Sequence, residues 1–417
     1  MIILSRQFLF LCLLTLVCIY CVSANAEDIG RVEAAQRIEQ LRKGDLVVRV
    51  VDKQGLPVAD APVEVIMTRH AFPWGTCVTA AHITGNEPDD DIYRAQLKAL
   101  FNCAVLENDL KWNAWHGAWG AGYSREQTQA ALIWLKEQRF CIRGHCMVHP
   151  GWKYFQPQQD VWKNDLPLLR KSILAHIDSL ATFTGEYVDE WDVVNEPLHH
   201  NEVTSALGEA SIAAWFSYAR AALPPPCRLF INEYNVVEPD DISNRAKYAA
   251  LIKGLLAAKA PVEGIGFQSH FHEPPESVED ALSVFDTFAK FGLPIVVTEF
   301  DVNTKDETKQ AAFTRDFMTA AFSHPACSGF VFWGFWEASH WRPDSAMFRK
   351  DWSEKLNLEV YRDLVFKEWW TNETGKTNDN GEFAVRGFKG SYRIASGENE
   401  TEAVIGDTRN KVEILKK

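Results

Sequence analysis

The segment EWDVVNEP (190–197) is a short apolar strand that ends in a polar pair, Asn195–Glu196, and the same design recurs along the chain. Comparable runs stand at 74–78, 104–107, 141–148, 228–233, 264–269, 294–299 and 329–334. Their ends lie about 30 to 47 residues apart, which leaves room for one strand and one helix each. Helical periodicity fills the intervals at 124–138, 165–182, 206–222, 245–259, 278–291 and 308–323. Such alternation predicts an α/β fold with a parallel sheet and helical crossovers. Eight rounds, with no Gly-rich dinucleotide fingerprint after the first strand, favour a closed (β/α)8 TIM barrel over 70–370 rather than an open sheet.

The flanks read differently. Residues 44–68, GDLVVRVVDKQGLPVADAPVEVIMT, alternate apolar and polar about Gly55-Leu56-Pro57, which predicts an antiparallel hairpin. Residues 375–417 alternate again, in GEFAVRGF and SYRIA. Neither flank, 27–69 or 371–417, carries enough apolar surface to stand alone, so the two are expected to pack together as one small β-sandwich.

At the N-terminus, Arg6, an apolar run over 8–22 and the small residues Ala24 and Ala26 form a secretory signal pattern, so residues 1–26 are expected to be a removable leader. The apolar run is shorter than a spanning helix needs. The expectation is a secreted protein, periplasmic or extracellular, with no membrane association once the leader is gone. With 47% hydrophobic and 24% charged residues, the composition is that of an ordinary globular chain. A formal net charge of −13, one unit more negative without Arg6, repels polyanions and argues against nucleic acid as a partner. Six cysteines remain outside the leader: Cys77, Cys103, Cys141, Cys146, Cys227 and Cys327. An even count in an exported chain permits disulfides, and buried free thiols on strands are an equal alternative. No paired C-x-x-C spacing points to structural zinc.

In a TIM barrel the site is built at the C-terminal ends of the strands. Here those ends carry Glu107, Asn108, Lys111 and Trp112, then His145, Asn195–Glu196, and Asn232, Glu233 and Tyr234. Gln268, His270, Glu299, Asp301 and Trp333 complete the set. A single Glu after a strand is usually a cap or a solvated charge. Several carboxylates, two histidines and several tryptophans at one barrel mouth are another matter, because clustered carboxylates raise one another's pKa and destabilise a fold. Paired carboxyls and indole rings suit glycoside hydrolysis: one carboxyl protonates the leaving oxygen while the other attacks the anomeric carbon or activates water. Indole faces stack on pyranose rings, and amides, His and Lys bond the hydroxyls. No H-E-x-x-H spacing appears, so no metal and no cofactor is expected.

At these residues the sequence resembles glycoside hydrolase family 10, the endo-β-1,4-xylanase family, over about 70–370. The segments that carry the resemblance are WDVVNEP (191–197), VVTEFDV (296–302), LENDLKW (106–112), RGH (143–145), FINEYN (230–235), GIGFQSH (264–270) and WGFWEASHWRP (333–343). The resemblance implies a retaining endoxylanase with Glu196 as acid/base and Glu299 as nucleophile, the carboxyls about 5–5.5 Å apart. It implies that His270 and Asp301 support the nucleophile and that Asn195 bonds the sugar 2-hydroxyl. Glu107, Asn108, Lys111, Trp112, His145, Tyr234, Gln268, Trp333 and Trp341 fall to substrate binding. The expected partner is xylan or a xylo-oligosaccharide, bound by a monomer.

Three positions depart from the family pattern: His149 stands where tryptophan is usual, His340 where serine is frequent and Glu233 where aspartate is usual. Two rival readings stay open, a β-1,4-glucan-active barrel hydrolase and a non-catalytic xylan-binding protein.

Overall fold

The computed structural model describes residues 30–238, 242–408 and 410–416; the expected leader lies outside them. After a helix over 30–42, the flank supplies β1 (Lys43–Val51) and β2 (Pro62–His70). Next come β3 (Trp74–Val78), β4 (Cys103–Leu106), β5 (Cys141–Val148), β6 (Glu190–Asn195) and β7 (Arg228–Glu233). The series continues with β8 (Gly264–Phe267), β9 (His270–Phe271), β10 (Ile295–Val302) and β11 (Cys327–Phe332). The second flank adds β12 (Asn372–Lys376), β13 (Glu382–Phe388), β14 (Gly390–Ser396), β15 (Asn399–Ile405) and β16 (Asn410–Leu415).

Strands β3 to β8, β10 and β11 pair in parallel, each with the next, and β11 returns to β3, which closes the expected eight-stranded barrel. Their residues are almost all buried, as strands covered on both faces must be. Two strands depart from expectation. β10 runs on through Phe300 to Val302, so Glu299 lies inside a strand rather than closing it. β8 stops at Phe267 because Ser269 takes a left-handed φ of 64°; pairing with β10 then resumes in β9, with His270 opposite Asp301.

Crossover helices follow the periodicity. Ser124 caps Arg125–Glu137, Asp165 caps Leu166–Thr184, and Asp306 caps Glu307–Ser323, each accepting from a backbone N–H of the first turn. The helix expected over 206–222 begins at Ala210, because Gly208, at φ 93°, separates it from a short helix at Glu202–Leu207.

The hairpin expected over 44–68 is corrected by the structure. β1 lies between β13 and β16 in a three-stranded sheet, whereas β2 lies between β12 and β14 in a four-stranded one that ends in β15. Alternation is satisfied equally well by pairing and by facing: Val48 and Val50 of β1, and Val63, Val65 and Met67 of β2, are all buried. The two flanks together do form the expected sandwich. It joins the barrel at the N-terminal ends of the strands, where the Arg42 guanidinium donates to the carbonyls of Phe322 (2.7 Å), His324 (2.9 Å) and Cys327 (2.7 Å). Trp74 stacks on Trp369 at 5.4 Å in the same layer.

Among the described residues the six cysteines are free thiols, and of these only Cys141 is less than fully buried. Among the described residues no helix is long and apolar enough to cross a membrane.

Candidate active site

At the C-terminal ends of the strands an open cleft of about 460 Å³ is lined by Glu107, Asn108, Lys111, His145, Asn195, Glu196, Tyr234, Gln268, His270, Glu299, Trp333 and Trp341. These twelve expected residues therefore meet at one place. Asp301 sits directly behind His270. Trp112 does not line this cleft: it is buried against His116, Phe155, Trp162 and His176.

A polar column rises through the barrel toward this cleft. Arg143 bonds Asp192 at 2.7 Å and also pairs with Glu190. The other oxygen of Asp192 lies 3.0 Å from His145 Nδ1, which fixes that ring beneath the cleft, 3.9 Å from Glu299 Oε1. A buried charge cluster of this kind is tolerable only because every member is paired.

Glu299 is 4% exposed. Asn232 donates to its Oε1 at 2.8 Å, and His270 Nε2 lies 3.2 Å from its Oε2. On the far side of the ring, His270 Nδ1 is 3.0 Å from Asp301 Oδ2. Burial disfavours a charge on His270, but Asp301 and then Glu299 outweigh it and raise the imidazole to about 10. Burial likewise opposes ionisation of Asp301, yet His270 and Arg342, whose guanidinium is 3.0 Å away, hold that carboxyl below its usual range. Trp341 donates its indole N–H to the same carboxylate at 2.8 Å. His270 is therefore a cation wedged between two carboxylates, and it sets a positive charge beside Glu299.

Amides connect the two expected catalytic carboxyls. Gln268 donates to Glu196 Oε1 at 3.0 Å and reaches Asn195 Oδ1 at 3.2 Å. Asn195 Oδ1 also accepts from Asn232 at 2.9 Å, and Thr298 anchors Asn232 through its hydroxyl at 2.7 Å. Glu196 itself has a left-handed φ of 55°, which turns its side chain from the end of β6 into the cleft. Its other oxygen, Oε2, meets His149 Nε2 at 2.9 Å and His200 Nε2 at 3.2 Å. Burial would raise Glu196, but His149, His200 and Gln268 outweigh it and hold the carboxyl well below its usual range. Burial keeps His149 neutral, at about 4.

The departures from the family pattern are built into this frame. The longer Glu233 side chain accepts from the Leu198 N–H at 2.8 Å and meets His199 Nδ1 at 2.9 Å, so it holds the turn after Glu196. His340 accepts from the Arg342 N–H at 2.9 Å and fixes the loop that carries Trp341. His149 stacks on Tyr154 with ring centroids 3.5 Å apart. Glu238 was not singled out from the sequence; it is buried and accepts from the His270 N–H at 2.7 Å, which seats β9. Its signal in the sequence was faint, since it stands in the loop five residues beyond the end of β7.

The profile of Glycosyl hydrolase family 10 matches residues 64–363. The chain belongs to that family. Among curated relatives, endo-1,4-beta-xylanase 3 of Arabidopsis thaliana is 31% identical over 365 residues, covering 86% of this chain and 47% of its own length. Anti-sigma-I factor RsgI6 of Acetivibrio thermocellus is 32% identical over 371 residues, covering 87% of this chain and 46% of its own. This family 10 chain thus spans about half the length of the curated relatives it matches. Among solved structures, xylanase 10B from Thermotoga petrophila, in complex with xylobiose, superposes with a TM-score of 0.62 at 24% identity, covering 71% of this chain and 94% of the other; that likeness establishes the fold.

Proposed function

We propose that the protein is an exported endo-β-1,4-xylanase that hydrolyses xylan with retention, through a covalent glycosyl-enzyme. The single observation that carries this reading is the asymmetric pair of carboxyls in one cleft: Glu299 against the His270 cation, and Glu196 bonded by Gln268, His149 and His200. Glu299 attacks the anomeric carbon as the glycosidic bond breaks, and Glu196, a carboxylate in the free site that takes up a proton once substrate is bound, passes that proton to the leaving oxygen. Glu196, now a carboxylate, then takes a proton from water, which displaces Glu299 and leaves the product with its original anomeric configuration. In this reading Asn195 bonds the 2-hydroxyl, Glu107, Asn108, Lys111 and His145 bond further hydroxyls, and Trp333 and Trp341 stack on ring faces; that all of them line the one cleft supports it. Export is supported by the signal pattern of residues 1–26.

Release of reducing sugar from xylan tests the proposal, with the first-formed product anomer read by proton NMR. Hydrolysis that disappears in Glu299→Ala, with the β-anomer formed first, is the expected result. Faster cleavage of soluble cellulose would move the substrate to a β-glucan. Tight xylan binding without turnover would favour the binding reading.

A further inference from the structure

His149, Glu196 and His200 converge more closely than a single hydrogen bond to the acid/base requires. Their three ligand atoms, two imidazole Nε2 and one carboxylate Oε2, all lie within 4.8 Å of one another. The two nitrogens stand 2.9 and 3.2 Å from the shared oxygen. A tetrahedral ion with bonds of about 2.0–2.1 Å spreads its ligand atoms about 3.3 Å apart, so only small side-chain shifts separate this arrangement from a coordinating one.

The arrangement is fixed by the backbone. His149 follows β5, and Glu196 follows the neighbouring β6. One turn links Glu196 to His200, whose N–H donates to the Glu196 carbonyl at 2.9 Å, and the Val203 N–H ties the two loops together at the Pro150 carbonyl, also 2.9 Å. Tyr154 holds both rings, stacked on His149 and edge-on to His200 at 5.3 Å. In the metal-free site His149 Nε2 donates its proton to the Glu196 carboxylate, and Nδ1 is buried with no hydrogen-bond partner. No acceptor or donor fixes Nδ1, so an arriving ion can displace the Nε2 proton and take that lone pair.

We infer that His149, Glu196 and His200 form a binding site for a borderline-soft divalent ion of the Zn2+ class, and that an ion held there switches hydrolysis off. Two imidazoles and one carboxylate select Zn2+ or Cu2+ over Mg2+ and Ca2+, which prefer all-oxygen shells. Glu196 and His149 line the cleft, so the ion enters from solvent. Binding places the cation on the carboxylate oxygen and releases whatever proton the three groups share. The metal-bound carboxyl then has no proton to give the leaving oxygen. The switching half of this inference rests on the proposed glycosidase role of Glu196; the site itself does not.

Calorimetric titration of the metal-free chain with ZnCl2 tests the site. One ion per chain is expected, with affinity falling by at least about tenfold in His200→Ala and in His149→Phe, which keeps a ring on Tyr154. His272→Ala, at the cleft rim, should bind as the parent does, and CaCl2 should give no signal. Xylan hydrolysis should fall as the site fills and return on chelation. Zinc affinity unchanged in both histidine variants places the ion elsewhere and overturns the site. Filling without loss of hydrolysis overturns the switch. A chain that cleaves no xylan at all would defeat the enzymatic reading while the calorimetry still decides the site.

Discussion

Asn232 donates its side-chain amide to Glu299 Oε1 at 2.8 Å from a position with no solvent exposure. The same amide group reaches Asn195 Oδ1, so one residue ties Glu299, the proposed nucleophile, to the strand that leads to Glu196, the proposed acid/base. Asn232→Ala leaves a buried carboxylate short of a donor and the Thr298 hydroxyl short of an acceptor. The loss is expected to be about 1.5–3 kcal/mol of transition-state stabilisation, roughly 10- to 150-fold in kcat/KM. Steady-state kinetics on a soluble xylo-oligosaccharide checks this, and unchanged kcat/KM would remove Asn232 from the mechanism.

The His270 cation makes stability depend on pH. Its pKa rises from the ordinary 6.5 to about 10 on folding, so its contribution is fully present below 6.5 and is lost as pH climbs from there to about 10. Asp301→Asn removes one of the two carboxylates responsible and should shrink the decline. Urea denaturation of parent and variant at pH 6 and pH 9 measures the difference. Parallel losses in the two proteins would contradict it.

Two tryptophans in the same family motifs should respond in opposite ways. Trp112 is a core residue in this structure, and Trp112→Ala is expected to cost about 3–5 kcal/mol of stability while leaving KM unchanged. Trp341 is 50% exposed at the cleft, and Trp341→Ala should raise KM several-fold with a smaller fall in melting temperature than Trp112→Ala, the fall coming from the lost indole bond to Asp301. Melting curves and KM values for both variants decide the matter.

The sandwich is expected to contribute to stability and not to the chemistry of the cleft. Arg42→Ala removes the guanidinium from three carbonyls at the closed end of the barrel, of which that of His324 keeps the Cys327 N–H as a second donor. Stability should fall by about 2 kcal/mol or more, with kcat/KM at low temperature unaltered. A chain that melts as the parent does would mean water replaces the guanidinium at no cost.

The barrel was legible because each strand is an apolar run buried on both faces and closed by a chemically capable residue. The partners of β1 and β2 were not, since an alternating strand specifies a buried side and leaves its neighbour open. Most of the residues singled out at strand ends reached the cleft, because strand direction aims them there, whereas Glu233 turned to the loop after Glu196. Trp112 illustrates the limit: an indole beside Lys111 serves a core as readily as a sugar, and spacing does not separate the two. The His149–Glu196–His200 grouping joins residues 47 positions apart through adjacent strands, and no local motif encodes it.

The left-handed φ of Glu196, 55°, carries a meaning of its own. A side chain with a Cβ meets steric resistance of roughly 1–2 kcal/mol in that conformation, and glycine meets none. Replacing Glu196 with glycine should therefore give a chain that melts no lower than the parent and hydrolyses nothing. Robustness forgone at a single backbone angle marks this position as kept for reactivity, since a turn needed only for shape would be better served by the smallest residue.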